Sequence, residues 1–133
     1  MPSVSKKESA SAHNKKILII EDEKPVSKAL ELKLGNNGFT IHAVYDGAEA
    51  LKALEKERYD LIVLDLVIPL VDGFSILEWL KSKMIKTPVI ITSNLSQDVD
   101  KKRTQDLGAV DYFVKSDIPI SEVVERVRKA LNL

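Results

Sequence analysis

The sequence predicts an open α/β fold, with a parallel five-stranded sheet at its centre and helices on both faces. Three observations predict it. Short β-branched apolar runs alternate strictly with helical patterns along the chain. The connections between them are short, which favours strands joined by crossover helices. Two of the runs, Ile17-Leu18-Ile19-Ile20 and Leu61-Ile62-Val63-Leu64, are apolar without interruption. That is the mark of a strand covered on both faces.

Taken in order, residues 1–14 are small, polar and charged without period, and read as a flexible N-terminal tail. The domain is expected over 15–133. After the first strand, Pro25 suits the first turn of a helix, with Val26, Ala29, Leu30 and Leu34 on one face. Gly35 and Gly38 are expected to bracket its end. Phe39 to Val44 is a weaker strand, suited to an edge. Asp46 and Glu49 stand three apart before an Ala/Leu-rich helix, a capping pattern. The strand at Leu61 is followed by Asp72-Gly73, which opens a helix carrying Leu77, Leu80 and Met84. Val89-Ile90-Ile91 is the fourth strand. Ser96 can cap a polar helix ending near Leu107-Gly108. Tyr112-Phe113-Val114 is the fifth strand. The last helix carries one apolar stripe of Ile120, Val123, Val124, Val127, Ala130 and Leu131.

Composition removes several functions. With 133 residues and 44% hydrophobic side chains, the chain suffices for one domain with a proper core. The absence of cysteine excludes disulfides, thiolate metal sites and a cysteine nucleophile, and two histidines are too few for a His-rich metal site. Twenty basic and twenty acidic side chains cancel, which argues against general binding to nucleic acid or an anionic membrane. No apolar run approaches a membrane span, and the N-terminus has no apolar signal region. The chain reads as soluble and cytoplasmic.

In such a sheet, ligands bind beyond the carboxyl ends of the strands. The first strand ends in Glu21-Asp22-Glu23, the third in Asp65, the fourth in Thr92-Ser93-Asn94 and the fifth in Lys115. Carboxylates, a hydroxyl and an ammonium therefore converge on one edge. Clustered carboxylates suit Mg²⁺ or Mn²⁺, which take oxygen ligands. A carboxylate can attack phosphorus to form an aspartyl phosphate. The metal, Lys115 and a hydroxyl can then hold the phosphoryl oxygens. Singly, each of these residues is more often a cap, a turn residue or a surface charge. Their occurrence at one edge is what carries the reading.

The motifs ILIIEDE (Ile17 to Glu23), LIVLDLVIPLVDG (Leu61 to Gly73), PVIITSN (Pro88 to Asn94) and GAVDYFVK (Gly108 to Lys115) resemble those of response-regulator receiver domains, in order, from about Lys15 to the C-terminus. The resemblance implies a flavodoxin-like fold with strand order 2-1-3-4-5, the order of the chemotaxis receiver. It implies Asp65 as phosphoacceptor, Asp22 as direct metal ligand, Glu21 as the acidic neighbour acting through water, and the Val67 carbonyl as a further ligand. Ser93 matches the switch hydroxyl, Tyr112 the switch aromatic and Lys115 the phosphate-contacting lysine. It also implies a sensor histidine kinase or histidine phosphotransfer protein as phosphodonor. The output would be a downstream protein or a homodimer on the face of the fourth helix, fifth strand and fifth helix, where Tyr112, Val99 and the charges Asp100 to Arg103 lie. Neither a membrane nor direct nucleic-acid binding is expected, and no turnover beyond the domain's own phosphorylation and dephosphorylation.

Three positions depart from the family's pattern. Ser116 stands where a proline usually follows the lysine. A cis bond before a non-proline costs about 2.5–4 kcal/mol, so a trans bond is expected. Asn94 replaces a smaller residue, and Glu21 an aspartate. Apolar Val67 and Leu95 flank the expected path of attacking water, which implies slow autodephosphorylation.

Other readings fit less well. A flavin binder needs a hydroxyl- and glycine-rich phosphate loop after the first strand, and EDEKP would repel a phosphate. A hydrolase with an aspartate nucleophile would want a second acid where Val67 stands. A receiver-like domain without phosphorylation would lack Asp65 or Asp22. Lys101-Lys102-Arg103 is the sole basic run suited to nucleic acid and reads as a solvated helix surface. Whether the chain acts alone or within a longer regulator stays open, as do its cognate kinase and its output.

Overall fold

The computed structural model describes residues 15–94, 98–116 and 118–133; the side chains of Asp98 and Val99 fall outside this description, as do Leu95 and the expected cap Ser96. Five strands, β1 (Lys16–Ile20), β2 (Thr40–Val44), β3 (Leu61–Asp65), β4 (Val89–Ser93) and β5 (Asp111–Val114), alternate with five helices. These are α1 (Lys24–Asn36), α2 (Gly47–Lys56), α3 (Gly73–Ser82), α4 (Asp98–Asp106) and α5 (Ile120–Ala130). The strands form one parallel sheet in the order β2-β1-β3-β4-β5, as expected.

The uninterrupted apolar runs are explained by two cores. Successive strand residues point to opposite faces. Leu18, Ile20, Ile62, Leu64 and Ile91 pack with α2 and α3 on one face, while Ile17, Ile19, Leu61, Val63 and Ile90 pack with α1 and α5 on the other. Both sets are excluded from water, which accounts for apolar residues at consecutive positions. Edge strand β2 is less buried and correspondingly reads as the weaker strand. The stripe of α5 buries Val123, Val124 and Val127.

Local chemistry sets the helix starts. Asp46 caps α2 by accepting from the Glu49 N–H at 2.8 Å, and Asp72 caps α3 by accepting from the Ser75 N–H at 2.9 Å. Helix α1 ends at Asn36, between Gly35 and Gly38 as expected, and the left-handed residue that turns the chain is Gly38, with φ 94°. One boundary expectation needs correcting. Met84 is not on α3's buried stripe: the helix stops at Ser82, and Met84, at φ 57°, is 78% exposed.

Gly47 and Gly73 hold the loop after β3 close to the sheet. The Gly47 N–H donates to the Pro69 carbonyl at 3.0 Å, and the Gly73 N–H to the Leu66 carbonyl at 3.0 Å. A Cβ on Gly47 would lie 1.9 Å from the Val71 carbonyl oxygen. Gly35 has nothing within 4 Å of the corresponding position and sits inside a helix. Gly47→Ala is therefore expected to destabilise the domain by about 1–3 kcal/mol through overpacking. Gly35→Ala should stabilise it by about 0.5–1 kcal/mol. Urea denaturation followed by Trp79 fluorescence reads both, and equal effects of the two substitutions would refute the close approach at Gly47.

Candidate functional site

The carboxyl ends of β1, β3, β4 and β5 meet at one edge, and the parallel register brings their terminal residues level. Ile20 pairs with Leu64, Asp65 with Thr92, and Ser93 with Val114. Asp65 and Ser93 end β3 and β4, and Glu21 and Lys115 follow β1 and β5, so the four lie at this edge. Glu21 and Asp65 are buried, while Asp22 is exposed at the rim. One carboxylate oxygen from each lies within 4.8 Å of the others.

Lys115 ties the group together. Its ammonium lies 2.9 Å from Asp65 Oδ2, 2.5 Å from Glu21 Oε1 and 3.2 Å from Glu23 Oε1. The expected trans backbone holds, since no peptide bond among the described residues is cis. The Lys115 N–H donates to the Ser93 carbonyl at 2.8 Å, which fixes the start of the lysine's reach. The sequence places Lys115 at the edge; the side chain is in fact only 12% exposed and enclosed by acids.

The electrostatics follow from that enclosure. Burial is the largest influence on Glu21 and lifts its carboxyl above the ordinary 4.5; the Asp65 charge adds to this, while Lys115 and the Glu23 N–H oppose it. For Lys115, burial alone would lower the ammonium's value. Its contacts with Glu21 and Asp65 outweigh burial and raise it above 10.5, so the lysine stays charged. Asp65 is further held by the Val67 N–H, which donates to Oδ1 at 3.1 Å. Val67 itself is well exposed beside this carboxylate. Leu95, expected on the other flank, lies outside the described residues.

The residues fit a hard divalent cation. Buried Glu21 Oε1 meets the Lys115 ammonium, and Glu21 Oε2 accepts from the Glu23 N–H at 3.0 Å. Lys115 meets three carboxylates, Glu21, Glu23 and Asp65, and Asp22 brings a fourth within 4.8 Å of Glu21 and Asp65. Oxygen donors with excess negative charge are what Mg²⁺ or Mn²⁺ take.

The two switch candidates are also brought together. Ser93 is fully buried. Tyr112 is half-buried against the core face of α2 and α3, and its hydroxyl hydrogen-bonds the Ser93 side chain. Burial raises the phenol above its ordinary value, so it keeps its proton. The switch aromatic thus already reaches the switch hydroxyl. On the neighbouring face, Lys101 lies over the Tyr112 ring at 5.9 Å, and Arg126 joins Asp111 at 2.9 Å and Glu122 at 3.1 Å. Arg103, which the sequence suggests is solvated, stacks 4.0 Å from the Phe74 ring centre and so bridges α4 to α3.

Glu23 is the member to which the sequence assigns no role. It occupies the N-cap position of α1 but its side chain makes no capping bond there; the carboxylate turns to Lys115 instead. An acidic residue at a helix start gives no sequence signal of that contact.

Comparison with known proteins bears on this arrangement. Residues 17–128 match the family model described as response regulator receiver domain. The regulatory protein VanRc of Enterococcus gallinarum is 38% identical over 119 residues, which cover 90% of this chain and 51% of that protein. The chain spans about half the length of the curated relatives it matches. The receiver domain of the Francisella response regulator 1452 has a similar structure, with a TM-score of 0.85 at 34% identity, covering 90% of this chain and 98% of that one. The phosphorylated cyanobacterial phytochrome response regulator RcpA gives a TM-score of 0.75 at 30% identity, covering 86% and 89%.

Proposed function

This chain belongs to the response regulator receiver family and is a receiver domain of the two-component type, and from that premise we propose that Asp65 accepts a phosphoryl group in a reaction that needs Mg²⁺ or Mn²⁺. The observation that carries the proposal is the buried Asp65 carboxylate, held by Lys115 and the Val67 N–H within 4.8 Å of Glu21 and Asp22. Glu21, Asp22, Asp65 and the Val67 carbonyl would hold the cation. When bound, it supplies positive charge opposite the phosphoryl oxygens.

The protein's own residues account for the remainder. An Asp65 oxygen forms the new bond to phosphorus as the bond from phosphorus to the donor's histidine nitrogen breaks, and the electron pair stays on the imidazole. Lys115, permanently charged, neutralises a phosphoryl oxygen. Ser93 donates its hydroxyl proton to another. The donor is then a sensor histidine kinase or a histidine phosphotransfer protein. The altered surface is the face of α4, β5 and α5, offered to a downstream protein or to a second copy. The domain would act in the cytoplasm, without direct contact to nucleic acid or membrane; no helix among the described residues is long and apolar enough to cross one.

Incubation with acetyl phosphate and Mg²⁺ should give a single phosphoryl adduct by intact-mass spectrometry. Chelation of the metal and Asp65→Asn should each abolish it. An adduct that survives Asp65→Asn would overturn the assignment.

A further inference from the structure

Four carboxylates meet at the strand ends, and Glu23 is the one the phosphoryl-transfer chemistry does not call on. It is exposed at the mouth of the site, yet its Oε1 is 3.2 Å from Lys115 Nζ, and its backbone N–H donates to Glu21 Oε2 at 3.0 Å. The same lysine approaches Asp65 at 2.9 Å. Any phosphodonor must bring anionic oxygens to Lys115 and Asp65, and the exposed Glu23 carboxylate stands against that lysine. Behind it, buried Glu21 Oε1 holds the same lysine.

Resting on the phosphoacceptor reading, we propose that Glu23 is a specificity-determining residue: its charge strengthens the hold on a divalent cation and disfavours small, highly charged phosphodonors by engaging Lys115 at the mouth. The sign follows from charge alone. Removing Glu23's negative charge leaves the Lys115 ammonium less compensated, and an uncompensated ammonium opposes a cation beside it. The same removal lowers the repulsion felt by an arriving anion and releases Lys115 to meet it. Both effects scale with the visitor's charge. A dianion such as acetyl phosphate gains more than a monoanion such as phosphoramidate. In either transfer an Asp65 oxygen bonds phosphorus. The donor's P–O bond breaks with acetate taking the electron pair, or its P–N bond breaks with ammonia leaving, already carrying its protons.

The test uses the whole chain, with Glu23→Gln, the charge-retaining Glu23→Asp, and Glu55→Gln as a control that makes the same charge change on the exposed far end of α2. Mg²⁺ alone is titrated by calorimetry and by amide NMR at low ionic strength. Glu23→Gln should weaken Mg²⁺ binding about fivefold, the size expected of one charge acting on a divalent ion across several ångströms of water-like medium. Glu23→Asp and Glu55→Gln should stay near the parent. At saturating Mg²⁺, Glu23→Gln should accept acetyl phosphate about fivefold faster and phosphoramidate about twofold faster, with both gains shrinking as salt is added. Mg²⁺ affinity and donor preference unchanged in Glu23→Gln, or changed equally in Glu55→Gln, would overturn the proposal. A parent that takes up no phosphoryl group would refute the phosphoacceptor reading instead, and the Mg²⁺ titration would still decide the role of Glu23.

Discussion

Replacing Lys115 with methionine is expected to destabilise the metal-free protein by about 3–5 kcal/mol, the cost of removing one partner from a buried charge cluster. The environment sets that size. Glu21 is 1% exposed, the Asp65 side chain 5% and the Lys115 side chain 12%, so solvent screens these contacts little. Without the lysine, two buried carboxylates face each other with no counter-charge. Protonation of Glu21 is the available relief, and its carboxyl is already lifted above 4.5 by burial. The folded state then keeps a proton that the unfolded state has released, so the stability of the variant should fall as pH rises from 4.5 through the raised folded value. A divalent cation is the alternative counter-charge. Mg²⁺ should stabilise Lys115→Met more than it stabilises the parent, since stabilisation grows with affinity for the native state. Urea denaturation with and without Mg²⁺ measures both quantities. A variant as stable as the parent would mean that Lys115 is an ordinary surface charge despite its three acidic neighbours.

The second large effect is expected at Ser93. Its hydroxyl is fully buried and bonded to Tyr112, and its carbonyl accepts from the Lys115 N–H. A phosphoryl group on Asp65 adds negative charge and three strong acceptor oxygens. Ser93 has one proton to give and would turn it toward the phosphoryl oxygens, while its oxygen can still accept from Tyr112. That would couple Asp65 to Tyr112 through one side chain. A hydrogen bond to a charged group contributes about 1.5–3 kcal/mol, roughly tenfold or more in an equilibrium between two arrangements. With Mg²⁺ and a beryllofluoride mimic, amide NMR shifts in the parent should extend from Asp65 to Tyr112, Lys101, Asp111 and Arg126. In Ser93→Ala they should stay near Asp65, and Tyr112, having lost its buried partner, should be perturbed even without the mimic. Shifts that reach Tyr112 undiminished in Ser93→Ala would show that the coupling runs by another route.

Much of this organisation is legible in the chain because two physical signals are strong. A strand buried on both faces must be apolar at consecutive positions, which marks β1, β3 and β4. Parallel strands joined by helices must place their carboxyl ends on one edge, which gathers Glu21, Asp22, Asp65, Ser93 and Lys115 before any coordinates are known. What escapes the sequence lies where local pattern and tertiary contact diverge. Met84 keeps the spacing of the α3 stripe, yet the helix has ended two residues earlier. Ser27 is fully buried on α1, with its hydroxyl near Glu31 at 3.4 Å, and no periodicity marks a polar residue for the core. The steric roles of Gly47 and Gly73 depend on how close the β3–α3 loop comes. The engagement of Glu23 with Lys115 joins residues 92 positions apart and has no local signature.

The phosphoryl contacts given to Lys115 and Ser93, and the donor preference given to Glu23, depend on Asp65 itself carrying the phosphoryl group. An aspartyl phosphate is an acyl phosphate, and borohydride reduces it to homoserine, whereas an unmodified carboxylate is untouched. After phosphorylation with Mg²⁺, reduction and proteolysis, peptide sequencing by mass spectrometry should find homoserine at position 65 and aspartate at 22, 60 and 72. Omission of Mg²⁺ should leave aspartate at all four. Homoserine at any other position, with aspartate intact at 65, would contradict Asp65 as the phosphoacceptor.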